Sequence, residues 1–223
     1  MPIHQASRRR LLALMAASPV LAHTLPRAYA QDGAPPADSY KTVNPVQPTL
    51  NRTRIEVLDF FWYGCSHCYA FLQPLMNWKA TLPEDVAYRP IPVAFSQNND
   101  NHSRLFYALQ SLDRLDLHAA VFAAIHGPQR RRLLATDEIA DFAAAQGIDR
   151  ERWLSAFNSF AIQTHAKRAR QVWMGYKIEG TPTLGIDGRY LTSPSMAQGH
   201  QAALRTAEAL IALRRRQRSG QRP

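Results

Sequence analysis

The chain has 223 residues and a formal net charge of +10, from 27 basic and 17 acidic residues. Most of this charge lies at the ends, because residues 1–30 carry four arginines and no acid, and residues 205–223 carry six arginines and one acid. A nucleic-acid-binding domain carries its basic surface on the folded body, so a nearly neutral body argues against that class.

The first thirty residues have the pattern of a signal peptide. Three arginines at residues 8–10 precede a short apolar run over residues 11–22, and Ala28-Tyr29-Ala30 resembles a cleavage site. The run is shorter than the ~20 residues that span a bilayer, so an uncleaved membrane anchor is the weaker alternative. Residues 7–12 also resemble a twin-arginine signal. Either the general secretory or the twin-arginine route ends beyond the inner membrane, where disulfides persist.

The only two cysteines of the chain lie in the sequence Cys65-Ser66-His67-Cys68. A disulfide across so short a loop removes little chain entropy, so it is a poor staple for a chain of this length. Residues 54–62 are mostly apolar and predict a buried strand. Residues 68–78 predict an amphipathic helix. A strand that turns into a helix at the first cysteine is the thioredoxin-like setting of a redox-active pair.

Three other interpretations of the cysteine pair are weighed against redox chemistry. A structural zinc site needs four ligands, and a second cysteine pair is absent from the sequence. Covalent haem attachment needs histidine directly after the second cysteine, where this chain has Tyr69. A plain structural disulfide is the third alternative. Redox catalysis is favoured over all three.

The rest of the body alternates between sheet and helix patterns. Residues 86–93 predict a second strand, and Pro90 and Pro92 place it at a sheet edge. Residues 98–177 show helical spacing throughout, with Asp149 as a helix cap. Their aromatic residues and His102, His118, His126 and His165 are expected to pack in the core.

A hairpin and a closing helix follow the helical segment. Asp187-Gly188 separates two short apolar runs, which is a hairpin signal. Residues 196–213 predict the closing helix, and the arginine-rich end is expected to be disordered. The predicted organisation is a signal peptide (1–30), an extended leader (31–50), a two-part thioredoxin-like domain (51–97 and 178–213), a helical insertion (98–177) and a basic tail (214–223).

Two segments carry a family resemblance. They are residues 57–69, which include the cysteine pair, and Gly180-Thr181-Pro182-Thr183. With the helical insertion between them, the chain resembles the DsbA family of periplasmic thiol:disulfide oxidoreductases over residues 50–213. The resemblance implies an α/β thioredoxin-like fold with an inserted all-helical subdomain. It also implies that the redox group is the disulfide of the pair, with no other cofactor.

The resemblance assigns roles that the chemistry supports. Cys65 would be the nucleophile, because a helix N-terminus favours an anion and lowers the pKa of a thiol. His67 would add a positive or hydrogen-bonding neighbour, and Cys68 would resolve the mixed disulfide. Pro182 resembles the family's cis-proline, beside which the backbone of Thr181 pairs with an extended substrate. Ser66 replaces the proline most common in the family, so full oxidising power is not assumed.

Asp59 is the remaining candidate site residue. It is an acid within a predicted buried strand, and an unpaired buried acid is costly. In the family an acid near this position affects proton transfer, although glutamate is the usual form. Arg89 lies about where the family carries a basic partner, and a structural ion pair is an equally good interpretation.

The predicted function is that of a monomeric periplasmic oxidase. It would donate its disulfide to reduced exported proteins and be recharged by a DsbB-like, quinone-linked oxidase of the inner membrane. Residues 31–53 are too few for the dimerisation domain of a disulfide isomerase. A specialised reductase and a non-catalytic binding or chaperone module are the alternatives.

Overall fold

The computed structural model of the protein describes residues 35–220. The predicted signal peptide and residues 31–34 and 221–223 lie outside the described residues. The elements in chain order are β1 (Lys41–Thr42), β2 (Ile55–Phe61), α1 (Ser66–Lys79), β3 (Val86–Pro92), α2 (Asp100–Ser111), α3 (His118–His126), α4 (Thr136–Ala145), α5 (Arg150–Phe157), α6 (Phe160–Gly175), β4 (Thr183–Ile186), β5 (Tyr190–Thr192) and α7 (His200–Arg218). Short 3₁₀ turns precede α2 and α3.

The five strands form one sheet in the order β1-β5-β4-β2-β3. The pair β2–β3 is parallel, and the other three pairs are antiparallel. All seven residues of β2 are buried, as predicted for a central strand. The prolines of β3 lie at an edge, also as predicted, because proline cannot donate a backbone hydrogen bond to a further strand. The predicted α/β class and thioredoxin-like architecture are confirmed.

Helices cover both faces of the sheet. Ile55 and Val57 of β2 pack with α1 and α7 in one hydrophobic cluster, whereas Leu58 and Phe60 belong to a larger cluster with the helical insertion. Alternating side chains of a strand point to opposite faces, so β2 supplies both clusters. Asp59 has the parity of Val57 and therefore points towards α1, the helix that carries the cysteines.

The helical insertion forms as the sequence predicts. Helices α2–α6 occupy its length, and the Asp149 side chain caps α5 by accepting from the Arg152 amide at 2.8 Å. Among the histidines expected in the core, His102 is buried, but His165 is exposed and stacks on Tyr107. No helix within residues 35–220 is both long and apolar enough to cross a membrane.

Two predicted boundaries are wrong. The leader is not wholly extended and separate, because Lys41 and Thr42 form the strand β1 and pair with Leu191 and Tyr190 of β5. Helix α7 begins at His200, four residues later than predicted, because residues 194–199 form turns that end at Gly199 with φ 149°.

The predicted disordered tail is also wrong over residues 214–218, which continue α7. Arg214 is buried and its Nε lies 2.8 Å from the carboxylate of Asp187. Arg218 contacts the same carboxylate at 2.5 Å, and Arg215 pairs with Asp85 at 2.6 Å. A buried carboxylate needs charged partners, and the arginines of the chain end supply them to Asp187.

Candidate active site

Cys65 is the N-cap residue of α1. Its backbone is extended, with φ −90° and ψ 115°, and its Sγ accepts a hydrogen bond from the Cys68 amide at 3.4 Å. The Cys65 amide donates to the Trp62 carbonyl at 3.0 Å, which fixes the turn from β2 into the helix. The first turn of α1 contains no acidic residue. A negative charge on Cys65 is therefore stabilised by the unpaired amides and the dipole of the helix.

The two thiols have opposite proton affinities. The pKa of Cys65 is lowered to about 5, chiefly by a hydrogen bond from the Cys68 thiol. Partial burial opposes this shift, and the Thr181 side chain and the amides of Cys68 and His67 add to it. Burial raises the pKa of Cys68 well above its usual range, and the neighbouring Cys65 raises it further. At neutral pH the pair is thus a thiolate at Cys65 and a thiol at Cys68.

The loop before β4 lies against Cys65. The Thr181–Pro182 peptide bond is cis, as predicted. When protonated, the Cys65 thiol donates to the Thr181 carbonyl at 3.3 Å. Within residues 35–220, the amide and carbonyl of Thr181 make no hydrogen bond to another backbone group. The loop and His67 line a cleft of about 740 Å³, and Thr181, whose carbonyl contacts the Cys65 sulfur, is part of that lining.

Asp59 lies beneath the buried cysteine. Asp59 is 3 % exposed, and its carboxylate accepts from the Tyr88 hydroxyl at 2.7 Å through Oδ2 and has no partner at Oδ1 among residues 35–220. Asp59, Cys68 and His118 line one cavity of about 10 Å³, near the smallest that holds a water molecule. Burial raises the pKa of Asp59 to about 6, against the lowering effects of Tyr88 and Lys79.

Arg89 is not the partner of Asp59. It forms an ion pair with Glu56 at 3.2 Å. The parallel register aligns Asp59 with Pro90 and Leu58 with Arg89, so Arg89 and Asp59 lie on opposite faces of the sheet. The pairing of Arg89 with Asp59 that the sequence left open is therefore not formed, and Arg89 is instead half of an ion pair with Glu56.

Histidines of the helical insertion hold the segment before Cys65. His126 donates through Nε2 to the Tyr63 carbonyl at 2.8 Å, and His118 Nδ1 lies 2.8 Å from the Tyr63 hydroxyl. The Trp62 indole donates to His102 at 2.9 Å. Burial lowers the pKa of His118 to about 4, so its ring is neutral at pH 7.

Sequence reasoning missed these contacts because each joins residues at least 40 positions apart. The available signal was Trp62-Tyr63, two aromatic residues with polar atoms directly before the cysteine pair. Such residues need hydrogen-bond partners when buried, and the insertion is rich in histidine. Tyr88 was missed as well, although it shares the parity of Pro90, which is aligned with Asp59. No cluster of three or more histidine, cysteine or acidic side chains among residues 35–220 is arranged to hold a metal ion.

A thioredoxin-like sheet with an anion-stabilised cysteine at a helix N-terminus and a buried second cysteine defines a thiol:disulfide oxidoreductase. Comparison with known proteins agrees. The model of the DSBA-like thioredoxin domain matches residues 75–210. The thiol:disulfide interchange protein DsbA of Bordetella parapertussis is 40% identical over 201 residues, which cover 89% of this chain and 94% of that protein. DsbA of Pseudomonas aeruginosa is 38% identical over 165 residues, or 74% of this chain and 78% of that protein.

Solved structures give the same result. A crystal structure of Pseudomonas aeruginosa DsbA superposes with a TM-score of 0.78 at 36% identity and covers 81% of this chain and 94% of that chain. The oxidoreductase DsbA of Xylella fastidiosa has a TM-score of 0.76 at 27% identity, covering 82% of this chain and 99% of that chain. The chain belongs to the DsbA family. It is a thiol:disulfide oxidoreductase, and the redox group of that family is a disulfide rather than an external cofactor.

Proposed function

We propose that this protein is a disulfide donor of the periplasm. In its oxidised form it transfers the Cys65–Cys68 disulfide to reduced exported proteins. A DsbB-like, quinone-linked oxidase of the inner membrane then reoxidises it. The signal-like pattern of residues 1–30 and the single cysteine pair support the location. The protein acts as a monomer.

The position of Cys65 at the N-terminus of α1 is the observation that carries this direction of transfer. Whatever stabilises the thiolate stabilises the reduced protein relative to the disulfide, and so makes the disulfide a stronger oxidant. The helix amides, the Cys68 thiol and the Thr181 side chain all favour the thiolate. These contacts are lost or weakened when the thiolate becomes half of a disulfide.

The reaction proceeds through a mixed disulfide. A substrate thiolate attacks Sγ of Cys65, the Cys65–Cys68 bond breaks, and Cys68 leaves with the electron pair. Cys68 then takes a proton that Asp59 delivers through the small cavity. A second substrate thiolate attacks the substrate sulfur in the mixed disulfide, and Cys65 leaves as a stable thiolate. Two electrons move from the substrate to the cysteine pair, and the substrate gains one disulfide.

The cleft beside Cys65 holds the substrate chain. It is lined by His67, Thr181, Pro182, Leu191, Met196 and His200, a mixture of apolar and polar groups. The backbone of Thr181, which within residues 35–220 bonds no other backbone group, hydrogen-bonds an extended substrate segment beside the sulfurs, and Pro182 fixes the course of that loop. His67 contributes its amide to the Cys65 thiolate and its ring to the wall of the cleft.

The reduction potential separates a donor from a reductase. The protein is equilibrated with glutathione buffers of known ratio, and its thiols are trapped and counted. We expect a value well above that of thioredoxin, about −270 mV, and towards about −120 mV, the value of the reference DsbA, itself a member of this family. A value near that of thioredoxin would assign a reductase. The absence of a reactive low-pKa thiol would assign a binding module.

A further inference from the structure

Asp59 has one side-chain partner within the described residues, and that partner is a phenol. The Tyr88 hydroxyl donates to Oδ2 of Asp59 at 2.7 Å. The ammonium of Lys79, the last residue of α1, lies 5.1 Å from the centre of the Tyr88 ring. Lys79 is exposed, Tyr88 is partly buried and Asp59 is buried. The three side chains thus form a short stack from the surface to the cavity beneath Cys68.

The strand register explains why Tyr88 fills this position. Asp59 is aligned with Pro90, which has no polar side chain, and the next residue of β3 on the same face is Tyr88. A diagonal neighbour in a sheet is within reach of a long aromatic side chain. Arg89, the cation next to Tyr88 in the sequence, points to the other face and pairs with Glu56.

The hydrogen bond from Tyr88 also selects which carboxylate oxygen is available. Oδ2 is occupied and Oδ1 has no partner. The groups that face Asp59 are Cys68 and Lys79 from α1, Tyr88 from β3 and the neutral His118 from α3. On the side of β4, the aligned residue is the apolar Leu184. Tyr88 is therefore the only hydrogen-bond donor to the Asp59 side chain among residues 35–220.

We propose that Tyr88 is a positioning residue that holds Asp59 as the proton acceptor of Cys68, with Lys79 supporting the ionised carboxylate from the surface. This inference rests on the proposed function. When Cys68 resolves a mixed disulfide, its thiol proton passes to Oδ1 of Asp59 and its sulfur attacks Sγ of Cys65. The bond between Cys65 and the other thiol breaks, and that thiol leaves with the electron pair. The proton then passes from Asp59 to water.

Removing the phenol hydroxyl changes the pH at which this step runs. Tyr88→Phe deletes a hydrogen bond to the ionised carboxylate, so Asp59 holds its proton more tightly. Losing a hydrogen bond to a charged carboxylate is expected to raise the pKa of Asp59 by about one unit. Because the pKa of Asp59 in the wild type is about 6, we expect the variant's resolving step to be about fivefold slower at pH 6. At pH 8.5 it changes less than twofold, because the carboxylate is ionised in both proteins.

In the experiment, the reduced protein is mixed with an aromatic disulfide in a stopped-flow instrument at pH values from 4.5 to 8.5. The absorbance of the coloured aromatic thiolate that is released reports the reaction. The first phase is the attack by Cys65 and the second is the resolution by Cys68. We expect Tyr88→Phe to shift the midpoint of the second phase upwards and to leave the first phase unchanged. Loss of the first phase in wild type would reject the proposed function, whereas an unshifted second phase in Tyr88→Phe would reject only the role of Tyr88.

Three further variants make the result specific. Tyr190→Phe removes the same hydroxyl from β5, where among residues 35–220 it accepts from Gln217, and should shift neither phase. Asp59→Asn should slow the second phase and flatten its pH dependence, and adding Tyr88→Phe to it should have no further effect on the profile. Lys79→Gln alters an exposed side chain and should shift the second midpoint upwards by less than Tyr88→Phe. If Tyr88→Phe does not fold, Lys79→Gln provides the test, and an unshifted second-phase midpoint in that variant would overturn the proposal.

Discussion

Cys65 and Cys68 are the same residue type three positions apart, and one helix end makes them different. Cys65 lies outside the first turn, where amides converge on its sulfur, whereas Cys68 lies inside it and is 4 % exposed. Their proton affinities therefore diverge, and each cysteine has only one step of the exchange for which it is suited. A small difference in position is amplified because the helix N-terminus and the buried interior act on the same charge in opposite directions.

At the residue scale, the roles of the two cysteines are separable by substitution. Cys65→Ser should abolish oxidation of a reduced peptide that contains two cysteines, because Cys68 alone cannot form the disulfide that accepts the two electrons. The activity is measured by the loss of free thiols in the peptide. Retained oxidation would contradict the assignment of Cys65 as nucleophile.

Cys68→Ala should instead trap substrates. Cys65 can still attack a disulfide, but nothing inside the protein then resolves the product. We expect mixed disulfides that run as larger species on a non-reducing gel and disappear with reductant. Equal amounts of such species in wild type and variant would count against Cys68 as the resolving residue.

At the scale of elements, α1 shows what the sequence could predict. The helix follows from its apolar spacing, and its start at the cysteine pair follows from the strand before it. The hairpin at Asp187-Gly188 and the edge position of β3 were also predictable from local residue preferences. These features depend on neighbours in the chain.

The partner of Asp59 is a contact that the sequence could not predict. Choosing between Arg89 and Tyr88 needs the register of β2 against β3, and a shift by one residue exchanges the two faces. The histidine contacts to Trp62 and Tyr63 depend on how the insertion folds back over the sheet. The arginines at the chain end have the sequence pattern of a solvated tail. Nothing in the hairpin signal Asp187-Gly188 indicates that Asp187 is buried and needs them as partners.

The end of α7 makes a testable element-scale prediction. Ending the chain after Leu213 removes Arg214 and Arg218 and leaves the buried Asp187 without its charged partners. Loss of the partners of a buried charge costs roughly 3–5 kcal/mol. Urea unfolding followed by circular dichroism should show a drop in the free energy of unfolding of this order.

The matched control ends the chain after Gly220. It retains every ion pair of α7 and should unfold at the same urea concentration as the full chain. If the chain that ends at Leu213 were as stable as this control, the arginines would not be structural.

At the scale of the whole molecule, redox state should set stability through Cys65. The thiol of an unfolded cysteine titrates near ~8.5, whereas the pKa of Cys65 in the folded protein is about 5. The unfolded state therefore binds more protons between these values, so this contribution to stability is full above pH ~8.5 and is lost as the pH falls through 5. The oxidised protein has no Cys65 thiol to ionise and therefore lacks this contribution to stability.

The reduced protein should thus melt above the oxidised protein by roughly 5 °C at pH 7.5. The gap should narrow as the pH falls towards 5. Differential scanning calorimetry of both redox forms across this range provides the measurement. A higher melting temperature for the oxidised form at pH 7.5, or a gap that does not depend on pH, would contradict thiolate stabilisation.

The edges of the sheet have a consequence for the proposed function, in which the substrates are unfolded exported chains. At one edge β1 is two residues long, and at the other β3 contains Pro90 and Pro92. An exposed edge strand is a template for aggregation, and short strands and prolines suppress it. A sheet whose two edge strands cannot pair over a long stretch can contact many extended, apolar polypeptides without forming a β-aggregate with them. Under the proposed function, the substrate chain then pairs only transiently with Thr181 and is released when the mixed disulfide is resolved.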